Sequence, residues 1–190
     1  MNTARLEAFT DGVVAIIITI MVLEIHVPQG GDLAALQTDV PVLLAYVLSY
    51  VNVGIFWNNH HHMLHVTKRI DGKVLWANLA LLFWLSLVPF VIRWIDESGF
   101  AALPTAAYGI VLASAAISYT ILERLIIAAN GRDSGLALAI GKERKGKLSI
   151  ALYLAAIALA FVAAWIAIAL YVAVALLWLV PDRRIESRVG

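Results

Sequence analysis

The chain has 190 residues, of which 62% are hydrophobic and only 14% charged, with a formal net charge of +1 and no cysteine. A soluble domain carries about 25% charged residues, and so short a chain keeps too much surface exposed to hide this much apolar material from water. Composition therefore excludes a disordered protein, an ordinary cytosolic enzyme and a basic nucleic-acid-binding domain, and the lack of cysteine excludes disulfides and thiolate chemistry. What remains is an all-α integral membrane protein, with residues 1–190 forming one domain.

A membrane-crossing helix needs about 20 mostly apolar residues. Residues 6–27 form the first such span; they lack the basic leader and small-residue cleavage site of a signal peptide. Residues 40–64, 74–94 and 103–127 are the next three. A polar, Gly-rich and charged connector follows at 130–147, then an unbroken apolar run at 148–180. As one helix that run would be about 50 Å long, well beyond a bilayer core of about 30 Å. As a hairpin it makes two short helices of about 16 residues each, which a locally thinned or protein-shielded bilayer accommodates. No Gly or Pro marks the turn, which is expected near Ala163, Ala164 and Trp165, with Trp165 as an interfacial anchor.

Charge decides between the two. Lys and Arg collect on the cytoplasmic side of membrane proteins. Arg5 precedes the first span; Lys68, Arg69 and Lys73 lie between the second and third. Arg124, Arg132, Lys142, Arg144, Lys145 and Lys147 follow the fourth, and Arg183, Arg184 and Arg188 close the chain. Only Arg93 of the 14 basic residues falls in an alternate segment. Six transmembrane helices, the last two a short hairpin, with both termini cytoplasmic, satisfy this pattern; five would put three arginines outside.

Polar groups inside a bilayer are costly and mark functional candidates. On a helical wheel the first span presents one stripe of Arg5, Gly12, Ile16, Thr19, Ile20 and Leu23, while Asp11 falls about 140° away on another face. Stripes of this kind also occur on ordinary packing or lipid-facing helices. A second polar group comprises Trp57, Asn58, Asn59, His60, His61, His62 and His65, followed by Asp71, Trp76 and Asn78. The spacings His61/His65 and His62/His65 put pairs on one helical face, as a metal site requires, but a third ligand must come from elsewhere. Interhelical hydrogen bonding is the expected role, with Asp11 taking a histidine or asparagine as partner. There is no phosphate loop, nucleophile elbow or H-E-x-x-H helix, no carbonyl filter of the T-V-G-Y-G type, and no arginine ladder of a voltage sensor.

The segment Arg5-Leu6-Glu7-Ala8-Phe9-Thr10-Asp11 resembles the R-x-x-x-F-S-D signature of the transmembrane protein 175 family, the endolysosomal potassium channels and their prokaryotic relatives. Phe56-Trp57-Asn58-Asn59-His60-His61 with Asp71, Trp76 and Asn78 looks like that family's second and third helices, and Leu179-Val180-Pro181-Asp182-Arg183-Arg184 looks like its ending. Thr10 stands where the family has Ser; the hydroxyl is kept and a methyl is added. Animal members carry two six-helix repeats and this chain one, so it looks like a prokaryotic member in the plasma membrane.

The resemblance implies a homotetramer in membrane lipid, with the first helices lining a central pore for monovalent cations, K+ above all, and no cofactor. It puts the hydrophobic gate on Ile16, with Ile20 and Leu23 beyond it, and the selectivity layer on Thr19. It implies that Arg5, Phe9, Thr10 and Asp11 tie the pore helix to its neighbours through Trp57, Asn59, His60, His61 and Asn78. In relatives the motif's Asp is linked to proton permeation, which makes Asp11 a secondary candidate. The rival readings are a proton-coupled transporter using Asp11 and a histidine as relay, for which only Pro89 interrupts a span, and a metal-dependent membrane enzyme using the histidine cluster.

Overall fold

The structure is a computed structural model that describes residues 3–28, 30–131 and 144–179. Among these there are seven helices and no strand: α1 (Thr3–Leu23), α2 (Leu33–His65), α3 (Gly72–Ser86), α4 (Val88–Glu97), α5 (Ala102–Asn130), α6 (Arg144–Ala160) and α7 (Ala164–Leu179). The basic residues Arg132 and Lys142 and the chain's last eleven positions, 180–190, lie outside the described residues.

Three of the helix starts have a clear local cause. Asp32 and Asp71 sit in extended conformation ahead of α2 and α3, and their carboxylates accept from the amides of Ala35 and Val74, both at 2.9 Å. Such caps satisfy amides that have no partner within the helix. The third expected span is broken at Leu87, because Pro89 has no N–H to continue the α3 ladder and instead opens α4. Together Gly72–Glu97 still form one stretch long and apolar enough to cross a membrane, as do Thr3–Leu23, Asp39–His65 and Ala102–Asn130.

The last apolar run is split, but the turn falls at Phe161, Val162 and Ala163 rather than at 163–165. No special residue is needed, since the amides of Val162 and Ala163 return to the Leu159 carbonyl at 3.0 and 2.8 Å. Trp165 lies exposed in the first turn of α7. The connector is also shorter than its composition suggests: residues 144–147 are the first turn of α6. Lys145 lies 5.9 Å from the centre of the Trp178 ring, and the Trp178 indole donates to Ser149 at 2.8 Å. That contact, from the start of α6 to the end of α7, shows the two helices to be antiparallel.

α5 is the centre of the bundle, with Leu112, Ala115, Leu122 and Ile126 fully buried. Between helices in lipid there is no hydrophobic drive, so association rests on close packing and hydrogen bonds. Gly109 of α5 lies directly against the Tyr171 hydroxyl of α7, which donates to the Thr105 carbonyl at 2.9 Å. On the same side of α5, Tyr108 packs edge-on against the Tyr171 ring at 5.3 Å and shares a 2.8 Å hydroxyl bond with Ser49 of α2. α1 stands at the periphery, packed on α2, α3 and α4.

Candidate functional site

α1 buries Leu6, Thr10, Val14, Ile17 and Met21, whose spacings of three and four make one helical face. The opposite face is bare. Ile16 is 59% exposed, Ile20 40% and Leu23 80%, and Arg5, Gly12 and Thr19 are exposed beside them. The stripe read from the wheel is thus one that the chain's own helices leave uncovered. Midway along it the Thr19 hydroxyl donates to the Ile16 carbonyl at 2.9 Å.

The buried face of α1 is fastened by polar bonds. The Asn78 amide donates to the Thr10 hydroxyl at 3.0 Å, and Asn78 Oδ1 lies 2.7 Å from His60 Nε2. An amide oxygen can only accept, so His60 Nε2 carries the proton. Thr10, His60 and Asn78 are all buried, and this chain of bonds joins α1, α2 and α3.

Asp11, next to Thr10 in α1, is met by an indole, not by a histidine or asparagine: Trp57 Nε1 donates to Asp11 Oδ1 at 2.7 Å. His61 lies one turn along α2 and pairs through Nδ1 with Glu7 at 2.7 Å. The helices run antiparallel, so Glu7 and Asp11, four apart on α1, face His61 and Trp57, four apart on α2. Trp57, His61 and His65 stack as a ladder, with ring centres 6.0 and 6.4 Å apart. Glu7 is not among the residues expected here, because its meeting with His61 depends on how α2 is rotated against α1.

Three of the expected ties are not seen among the described residues. Asn59 turns back to the Ile55 carbonyl of its own helix at 2.8 Å. Phe9 is 51% exposed, on the bare side of α1. Arg5 is exposed and makes no ion pair among the described residues. Among the described residues no three His, Asp or Glu side chains converge as a metal would require.

The far end of α1 is fastened separately. Glu24 accepts from Arg93 Nη1 at 2.9 Å, Arg93 Nε donates to Glu97 at 2.7 Å, and His26 Nδ1 meets Asp96 at 2.7 Å. The Glu24–Arg93 and His26–Asp96 pairs join the chain just beyond α1 to α4, across about 70 positions in sequence.

The fold and this arrangement define a multi-pass helical membrane protein whose first helix is held at both ends and left bare along one apolar face. The sequence profile of the family described as "Endosomal/lysosomal potassium channel TMEM175" matches residues 5–89. A protein of Chryseobacterium sp. (strain P1-3), named a potassium channel, is 54% identical over 187 residues, covering 98% of this chain and 97% of its own. A potassium channel of Chamaesiphon minutus is 33% identical over 181 residues, covering 88% of each chain. The crystal structure of a lysosomal potassium-selective channel TMEM175 homolog from the same organism matches with a TM-score of 0.82 at 30% identity, covering 93% of this chain and 95% of that one. This chain belongs to the TMEM175 family.

Proposed function

We propose that the chain is a potassium channel subunit, acting as a homotetramer in which the bare faces of α1 surround a central path for K+. The carrying observation is the exposed stripe of Ile16, Thr19, Ile20 and Leu23 on a helix otherwise well fastened. A single helix cannot enclose a pore, so the stripe needs copies of itself. The relatives named potassium channels supply the ion. Six crossings, with α3 and α4 together as the third and the α6–α7 hairpin as the last two, put both termini in the cytoplasm of a prokaryotic cell.

A ring of Ile16 side chains makes a narrow apolar neck, which blocks ions by excluding water and opens by widening. Thr19, one turn outward, faces the ion with its oxygen. Its proton is used by the Ile16 carbonyl, so the lone pairs are what it presents. Glu24, Asp32, Asp39, Asp96 and Glu97 lie at the outer end in this topology, against Arg93 alone among the described residues, a balance that concentrates cations.

A channel is favoured over a proton-coupled transporter. The group on Asp11 is an indole N–H, which donates but does not accept and so passes no proton onward. The test is recording from purified protein in a planar bilayer with K+ on one side and Na+ on the other. Discrete current steps and a reversal potential displaced toward that of K+ are expected. Slow saturable uptake without steps would overturn the reading.

A further inference from the structure

The loop between α2 and α3 is held in an unusual way. Asn130, the last residue of α5, accepts through Oδ1 from the backbone amides of Lys68 and Arg69 at 3.0 and 2.8 Å. Its own amide donates to the Arg69 carbonyl at 3.0 Å. The clasp uses backbone alone, so both basic side chains are left exposed on a fixed loop. Lys73 is exposed in the first turn of α3. None of the three makes an ion pair among the described residues. The one carboxylate between them, Asp71, is engaged in capping α3.

Directly along α3 from these cations runs an exposed apolar track. Trp76 is 75% exposed, Leu79 41% and Phe83 57%, and their spacing keeps them on one side of the helix. Asn78, which holds α1, is buried on the other. A topological signal needs only positive charge in the loop. Here the cations are clasped in place, at the head of an aromatic and aliphatic track. An interfacial Trp commonly sits at headgroup level.

We propose that this is a binding site for an anionic phospholipid. Lys68, Arg69 and Lys73 receive the phosphate and any further headgroup charge, and an acyl chain lies along Trp76, Leu79 and Phe83. Charge complementarity selects this occupant, since a zwitterionic lipid offers the cations no net charge and a second copy of the loop would repel them. The site requires only that α3 crosses the membrane, and it does not depend on which ion the protein conducts.

The test is quenching of tryptophan fluorescence in the full-length protein reconstituted in vesicles. The probes are brominated phosphatidylglycerol and brominated phosphatidylcholine, and the Trp76→Phe variant isolates the Trp76 signal. Stronger quenching by the anionic lipid is expected. Each basic residue at an anionic surface is worth about a fivefold change in affinity. Lys68→Gln with Arg69→Gln and Lys73→Gln should therefore reduce the preference by roughly a hundredfold. Lys68→Arg with Arg69→Lys, which keeps the charge, should retain it. Equal quenching by the two lipids, or a preference unchanged in the Gln variant, would overturn the proposal. So would the absence of Trp76 quenching by either lipid, which would put this face against another protein.

Discussion

Thr19 donates its hydroxyl proton to the Ile16 carbonyl of its own helix at 2.9 Å, and this bond orients the oxygen outward from α1. The expected consequence concerns the acceptor and not the methyl. Thr19→Ser keeps the oxygen and should keep the preference for K+ over Na+. Thr19→Ala removes it. Each hydroxyl contact is worth about 1 kcal/mol and the tetramer loses four of them, so the permeability ratio should fall at least about fivefold. Reversal potentials under bi-ionic conditions measure this, and an unchanged value for the Ala variant would remove Thr19 from the selectivity layer.

Ile16 can be changed with little effect on the fold of its own subunit, because its side chain is 59% exposed. Ile16→Asn should put hydrogen-bonding groups into the neck, rewet it and raise conduction several-fold. K+ flux from loaded vesicles at equal protein content is the measurement. Equal flux would move the constriction to Ile20 or Leu23.

Asn78 and Asn59 invite the same reading from sequence, yet the structure separates them. Asn78→Ala strands a buried Thr10 hydroxyl and a buried His60 N–H, each of which costs about 1–3 kcal/mol when unsatisfied; in membranes the measured values lie near the lower end. Asn59→Ala loses only a bond to its own helix. Thermal unfolding in detergent should therefore fall clearly for the first and little for the second.

The contrast shows what a sequence carries. The bare stripe on α1 is a property of one helix, and a wheel displays it. The partners of Asp11 and Glu7 depend on the rotation of α2 against α1, which no spacing along either helix encodes; hence Trp57 and His61 were named as a group but not matched. Glu24 and Arg93 lie 69 positions apart, and nothing local to either residue announces their meeting. A uniformly apolar run carries no mark of where it reverses, so the turn lies at Phe161, two residues before the place the composition suggests. Arg5 and Phe9 point away from the chain's own helices, so their role belongs to whatever faces α1.

Gly109 gives the sharpest test of the packing around α5. In an unconstrained helix, Gly→Ala stabilises by about 1 kcal/mol. At Gly12, where an added methyl meets nothing within 4 Å, Gly12→Ala should unfold no more readily than the parent. At Gly109 the methyl would strike the Tyr171 hydroxyl and come within 2.8 Å of Ile157 Cγ1. A phenol held by the Thr105 carbonyl cannot swing aside without losing that bond, and overpacking of this kind costs about 1–3 kcal/mol. Clash therefore outweighs propensity, and Gly109→Ala should be destabilising. Tyr171→Phe removes the struck atom but leaves Ile157, so the double variant should recover part of the loss and no more. The coupling from a double-mutant cycle, measured by thermal unfolding, isolates that contact. Strict additivity would mean that α5 and α7 stand farther apart than the structure places them.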